Sequence, residues 1–252
     1  MDAMILAAGL GTRLRPLTDT CPKALVPVGG VPAIERVARR LIDAGAGRLV
    51  VNLHAFAPAI ESYVRLRGGF GVEVAFSREE PAPLETGGGL LAARGCLRGD
   101  APFFLHNVDV VTDLPLRDLY DAHVRARGAS DGALATLAVM ERPTSRRLLF
   151  DDRGLLGRVD DAKGVRTVVR EAVGDVRELG FLGVHVISPA LFPRISERGA
   201  FAITDVYLRL AREGERIVPF DAAGSLWIDV GRPESLAAAS AEMASREAAA
   251  SH

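Results

Sequence analysis

The order of events in the first fifty-odd residues restricts the fold more than any other feature. A short apolar run over 3–8 breaks into Gly9-Leu10-Gly11-Thr12-Arg13, and an amphipathic segment and a second apolar run follow. A buried strand, a glycine-bearing loop, a helix and another buried strand open a βα-alternating parallel sheet. The segment 31–44 carries Ile34, Val37, Ala38, Leu41 and Ile42 on one helical face with arginines between them, and Gly45 and Gly47 end it. The alternation continues with a strand over 48–53, a helix over 57–66 and a strand over 72–76. A helix opened by Thr86-Gly87-Gly88-Gly89 runs on to 97, and a buried strand over 102–107 delivers Asp109 just past its carboxyl end. In open α/β sheets that edge is where ligands bind.

Beyond a helix over 116–127, for which Asp113 reads as the start, and a strand over 133–140, the rhythm changes. Asp151-Asp152-Arg153-Gly154 is a turn between two apolar runs, so 148–159 is expected to form a hairpin. A strand over 179–187, a helix over 204–212 and short strands over 216–220 and 225–228 follow. A terminal helix over 233–248 then ends in an alanine- and serine-rich tail expected to fray. The fold class is therefore α/β: a Rossmann-like, mostly parallel mixed sheet flanked by helices, with a small β-hairpin insertion. No internal repeat or linker divides the 252 residues, and a single domain is expected.

The charge balance narrows the partners. A formal net charge of -1 lacks the basic excess of a broad nucleic-acid footprint, so no nucleic-acid partner is expected. The opening residues show no basic stretch ahead of a long apolar one, and no run approaches the ~20 residues that span a bilayer. A cytoplasmic protein without a membrane partner is expected. Cys21 and Cys96 have no metal-type spacing and suit a reducing compartment. Among 31 basic residues only Lys23 and Lys163 are lysine. Lys163 lies in the polar stretch Asp160-Asp161-Ala162-Lys163-Gly164 and reads as solvated. Lys23 lies between prolines in Pro22-Lys23-Ala24-Leu25-Val26-Pro27-Val28.

That placement gives Lys23 a different meaning. Successive backbone N–H groups around Gly9 and Gly11 can form an anion-binding nest. Thr12 adds a hydroxyl and Arg13 a fork matched to phosphate oxygens. A compact ammonium on a proline-stiffened segment beside such a nest suits a point contact to phosphate. The spacing lacks both the Gly-Lys-Ser/Thr of a P-loop and the third glycine of the dinucleotide fingerprint. Asp109 and Asp229 end apparent strands, in Asn107-Val108-Asp109 and Trp227-Ile228-Asp229-Val230-Gly231. Each is either a turn cap or one of the one or two carboxylates that Mg²⁺ takes while keeping substrate oxygens. His106 reads as a structural histidine in an apolar strand.

The stretch from Leu6 to Val28 resembles the signature of the nucleoside-diphosphate-sugar pyrophosphorylases, the sugar-1-phosphate nucleotidyltransferases, and the resemblance implies their fold. It implies that Leu6, Ala7, Ala8 and Gly9 contact the nucleoside and that Gly11, Thr12 and Arg13 cradle the triphosphate. Lys23 would reach the reacting phosphates, with Arg13, Lys23 and Asp109 as the catalytic set. The resemblance places Mg²⁺ on Asp109 and Asp229, nucleotide on Glu85 and Gly88, and sugar phosphate on Lys23, Asn107 and Gly183. It divides the chain into a mainly nucleotide-binding part (1–130), a mainly sugar-phosphate-binding part (131–232) and the terminal helix and tail (233–252). Val108 departs from the small residue that relatives often carry between the asparagine and the aspartate.

Leu84-Glu85-Thr86-Gly87-Gly88-Gly89 is most similar to N-acetylmuramate-1-phosphate uridylyltransferases and their relatives. The expected substrates are therefore an NTP, UTP first, and an N-acetylated sugar 1-phosphate, with pyrophosphate released. The alternatives are a GTP-dependent mannose- or heptose-1-phosphate enzyme, then a phosphocholine-type cytidylyltransferase, then a non-catalytic nucleotide-sugar-binding regulator. The sequence assigns no oligomeric state.

Overall fold

The computed structural model of the chain describes residues 1–128 and 132–250. It opens with β1 (Asp2–Leu6), the hairpin β2 (Pro27–Val28) and β3 (Val31–Pro32), and α1 (Ala33–Asp43). Next come β4 (Arg48–Leu53), α2 (Ala57–Leu66), β5 (Glu73–Arg78), α3 (Glu85–Ala92), β6 (Phe103–Asn107), β7 (Val110–Thr112) and α4 (Leu116–Arg127). The second half contains β8 (Ala135–Met140), β9 (Arg146–Asp151), β10 (Gly154–Asp160), β11 (Val165–Val168), β12 (Arg177–Ile187) and α5 (Ile203–Arg212). It closes with β13 (Ile217–Asp221), β14 (Trp227–Asp229) and α6 (Pro233–Ala250).

The expected mixed sheet is present, in the order β11-β10-β9-β12-β6-β1-β4-β5, with β8 joined to β12 and β13. β6, β1, β4 and β5 are mutually parallel, and β12 turns the sheet antiparallel against β6. Alternation along each strand supplies both cores. Ala3 and Ile5 of β1 meet Ile34, Leu41, Ile60 and Leu119 from α1, α2 and α4 on one face. Met4 meets Leu90, Ile203, Val206 and Tyr207 from α3 and α5 on the other.

The chain leaves β1 for α1 and β4 on one side, while β6 lies on the other side of β1. This is a topological switch point, where a cleft opens past the carboxyl ends. The parallel register aligns Leu6 with Asn52 and with Asn107, so three strand ends stand side by side at its floor.

Four elements differ from expectation. α1 starts at Ala33 rather than 31, because Gly29 and Gly30, at φ 56° and 79°, turn the β2–β3 hairpin just ahead of it. Asp113 does not cap α4, whose N-cap is Pro115; its Oδ1 instead accepts from the Leu226 N–H at 2.7 Å. β7 was not foreseen, and it pairs antiparallel with β14. The expected hairpin is β9–β10, extended by the unforeseen edge strand β11 and continuous with the main sheet through β12. The terminal helix runs to Ala250. Residues 251–252 of the expected frayed tail, and the 130/131 division within 129–131, lie outside the described residues.

Candidate active site

The cleft at the switch point holds about 200 Å³ and is lined by Leu6, Ala8, Gly9, Lys23, Glu85, Asn107 and Asp109 among the expected residues. Asn52, Glu79, Pro83, Thr86 and Val108 complete it. Nothing lies within 4 Å of where a Cβ of Gly9 would stand, so that backbone faces open space. Gly11, at φ 65°, is held to glycine twice over. Its backbone is left-handed, and a Cβ there would stand 3.0 Å from Thr18 and 3.1 Å from the Lys23 Cβ. The Gly11 carbonyl accepts from the Thr18 hydroxyl at 2.8 Å, which fixes the loop against the segment carrying Lys23. Thr12 and Arg13 are exposed on the short 3₁₀ turn Thr12–Leu14.

Charge converges at Gly231. A Cβ on that residue would stand 2.7 Å from Asp229 Oδ1, 2.8 Å from Arg13 Nη2 and 3.2 Å from Lys23 Nζ. Lys23 Nζ donates to Asp109 Oδ2, with only 11% of the lysine side chain exposed, and Arg13 Nη2 lies 3.9 Å from Asp229 Oδ2. Backbone pairing ties together the segments that carry the two carboxylates: Asp229 is opposite Val110 in the β7–β14 ladder, and the Val230 N–H donates to the Asp109 carbonyl at 2.9 Å. Two hard oxygen donors, one just before β7 and one at the end of its partner β14, suit a divalent cation that keeps substrate oxygens in its other positions. Val108 is 5% exposed, packs in the same core as Ala7 and Leu182, and lines the cleft beside Asp109.

The remaining expected residues divide. Gly183 and Asn107 are brought together: a Cβ at 183 would stand 2.5 Å from the Asn107 amide nitrogen. Gly88 does not line the cleft. What comes close to the glycine triplet is the protein itself: Phe201 against Gly87, the Gly199 carbonyl against Gly88, and the Glu79 carboxylate against Gly89. Ala7 is buried behind the cleft wall. Glu85 lines the cleft in a left-handed conformation, φ 59°, which is unusual for a residue with a side chain.

Asn52 and Glu79 escaped the sequence reading. Both are buried; Asn52 Nδ2 donates to Glu79 Oε1 at 2.9 Å, and the Leu84 N–H donates to Glu79 Oε2 at 2.6 Å. Their signal was weak, a single polar residue inside or just after an apolar run. Burial holds His106 at about 4, well below an ordinary imidazole, and its Nδ1 lies 2.8 Å from the Asn107 carbonyl. It does not line the cleft, in keeping with a structural role.

The nucleotidyl transferase family model matches residues 2–147. An N-acetylmuramate alpha-1-phosphate uridylyltransferase from Caulobacter vibrioides is 35% identical over 245 residues, 96% of each chain. A mannose-1-phosphate guanyltransferase from Candida albicans is 32% identical over 237 residues, covering 93% of this chain and 62% of that one. The fold is shared with a UDP-glucose pyrophosphorylase from Acinetobacter baumanii, with a TM-score of 0.77 at 20% identity over 96% of this chain and 92% of that one. The chain belongs to the nucleotidyl transferase family, as a sugar-1-phosphate nucleotidyltransferase. Enzymes of this family typically use a divalent metal.

Proposed function

We propose that the enzyme joins UTP to an N-acetylated sugar 1-phosphate, such as N-acetylmuramate 1-phosphate, and releases pyrophosphate. The observation that carries the chemistry is the convergence of Arg13, Lys23, Asp109 and Asp229 beside Gly231 at the cleft edge. The sugar phosphate oxygen is already ionised at neutral pH and needs no general base. It bonds to the α-phosphorus as the bond to the bridging α–β oxygen breaks, and that electron pair leaves with pyrophosphate. The protein's work is alignment and charge neutralisation. Leu6, Ala8 and Gly9 hold the nucleoside, with Glu85 beside it. Gly11, Thr12 and Arg13 hold the β- and γ-phosphates, Lys23 the α- or sugar phosphate, and Asn107 with Gly183 the sugar side. Asp109 and Asp229 would hold Mg²⁺, which offsets charge on the triphosphate and the departing pyrophosphate.

In this reading residues 1–130 mainly serve the nucleotide and 131–232 mainly the acceptor, with 233–252 as the terminal helix and tail. The unpaired Cys21 and Cys96 fit a cytoplasmic setting. The uridylyl assignment rests on the Caulobacter relative, which matches over 96% of both chains. The Candida relative makes a GTP-dependent mannose-1-phosphate reaction the competing reading. Pyrophosphate release over a grid of four NTPs and several sugar 1-phosphates separates them. UTP is expected to lead; a tenfold higher kcat/KM with GTP, about 1.4 kcal/mol in transition-state binding, would overturn the uridylyl assignment.

A further inference from the structure

Arg142 is a half-buried cation with most of its surroundings built for it and one part of its hydrogen-bonding capacity unused. It follows β8, and its guanidinium carbon lies 4.0 Å from the centre of the Trp227 ring. Its Nη2 donates to the Phe181 carbonyl over a long 3.4 Å. Its Nε is buried and has no hydrogen-bond partner among the described residues. Gly180 makes room for it: a Cβ there would stand 2.8 Å from Arg142 Nε and 2.9 Å from its Cγ. Trp227, the platform, is itself fixed, donating from Nε1 to the Leu182 carbonyl at 2.9 Å.

Position gives this cation its meaning. Trp227 and Asp229 are two apart on β14 and so share a face. Burial holds Arg142 below the ordinary guanidinium range, and the charge of Asp229 works against that shift, so the two groups share a field. From Trp227 the contacts run through Leu182 to Gly183 and on to Asn107, at the cleft wall. A guanidinium centred 4.0 Å from an indole ring, its Nη2 held only by a long bond, is suited to an oxyanion.

We propose that Arg142 binds an oxyanion of the acceptor substrate and that Gly180 and Trp227 hold it in place for that purpose. The inference rests on the sugar-phosphate reading of the cleft and adds a residue to it. The acceptor's oxyanion is either its phosphate or a carboxylate on the sugar, and two acceptors separate these. N-Acetylmuramate 1-phosphate carries both groups; N-acetylglucosamine 1-phosphate carries only the phosphate.

The test is steady-state pyrophosphate release with each acceptor for wild type, Arg142→Gln, Arg142→Lys and Gly180→Ala, together with nucleotide binding by calorimetry and thermal melts. Arg142→Gln is expected to raise acceptor KM by on the order of 10-fold or more, with nucleotide affinity within twofold of wild type. Arg142→Lys should recover part of the loss. Gly180→Ala, which keeps the charge but crowds the guanidinium, should reproduce much of it, so the test survives if Arg142→Gln does not fold. A KM rise with both acceptors assigns the phosphate; a rise confined to N-acetylmuramate 1-phosphate assigns the carboxylate. Acceptor KM within twofold of wild type in all three variants overturns the proposal. A wild-type enzyme that turns over no sugar 1-phosphate overturns the reading beneath it instead, and the proposal with it.

Discussion

At Lys23 the chain abandons its habit of using arginine, and the surroundings explain the choice. The side chain is hemmed in by Gly11, where even a Cβ would crowd its own, and by Gly231, where a Cβ would stand 3.2 Å from Nζ. Its ammonium reaches Asp109 in that confined space. A planar guanidinium is broader and cannot occupy the same point. Lys23→Arg is expected to melt near the wild-type temperature yet lose on the order of 10²-fold in kcat, the cost of misaligning reacting groups by about 1 Å. Lys163→Arg, on an exposed turn, should be indistinguishable from wild type. Melts and pyrophosphate release on both variants check this; full activity in Lys23→Arg would return that lysine to the surface. This much of the site was legible because glycine, proline and a rare lysine fall together in sequence. Asn52 and Glu79 were not, because parallel pairing of β4 with β5 brings them together from 27 residues apart.

The element that most directly sets the charged centre is the small β7–β14 ladder, and nothing local announced β7. Three residues, Val110–Thr112, carry too little pattern to read, and their partner strand comes more than a hundred residues later. Asp113 locks the pair: its Oδ1 accepts from the Leu226 N–H at 2.7 Å and its Oδ2 from Arg246 Nη1 of α6 at 2.7 Å. The Thr112 hydroxyl adds a bond to the Leu226 carbonyl at 2.7 Å. Asp109 immediately precedes β7 and Asp229 ends β14, so loosening the ladder should loosen the pair. Asp113→Ala is expected to cost about 1–2 kcal/mol of stability, the scale of a lost hydrogen bond at a charged group. It should also raise several-fold the Mg²⁺ concentration needed for half-maximal rate. Denaturant melts and a Mg²⁺ titration test both parts; an unchanged Mg²⁺ requirement would detach the ladder from metal binding. The strand–helix alternation around it was legible, because each long element carries its own period in its own residues.

Across the whole molecule, three neutral histidines are built into the core. Burial holds His106 and His123 at about 4 and His185 at about 3. His123 Nδ1 lies 3.0 Å from the Thr136 hydroxyl, and its buried Nε2 has no partner among the described residues, so a proton there would find no acceptor. Between pH ~6.5 and ~4 the unfolded chain binds protons at these sites that the folded chain refuses, so stability falls as pH falls. Each histidine withdraws up to about 1.4 kcal/mol per pH unit inside that window. Glu35 behaves oppositely in cause: burial alone would raise it, but hydrogen bonds from Arg67, Tyr63 and Arg39 outweigh burial and hold it at about 2. Arg170 holds Asp151 at about 2 as well. Their stabilisation is complete above the unfolded carboxylate range and is lost only as pH falls below it. Thermal melts should therefore show Tm level above pH 7 and falling steadily from 6.5 to 5, where the histidines titrate alone; a level Tm across 6.5 to 5 would contradict their burial as neutral rings.

The proposed chemistry stands or falls on Asp109 reaching the reacting phosphates. The direct measurement is exchange of labelled pyrophosphate into UTP with sugar acceptor present, comparing wild type with Asp109→Asn. The variant changes one oxygen to nitrogen and keeps the β6–β7 backbone, so circular dichroism and Tm should remain close to wild type. Exchange is expected to drop by at least on the order of 10²–10³-fold, whereas exchange at the wild-type rate in Asp109→Asn would remove that carboxylate from the mechanism and the account of the cleft with it.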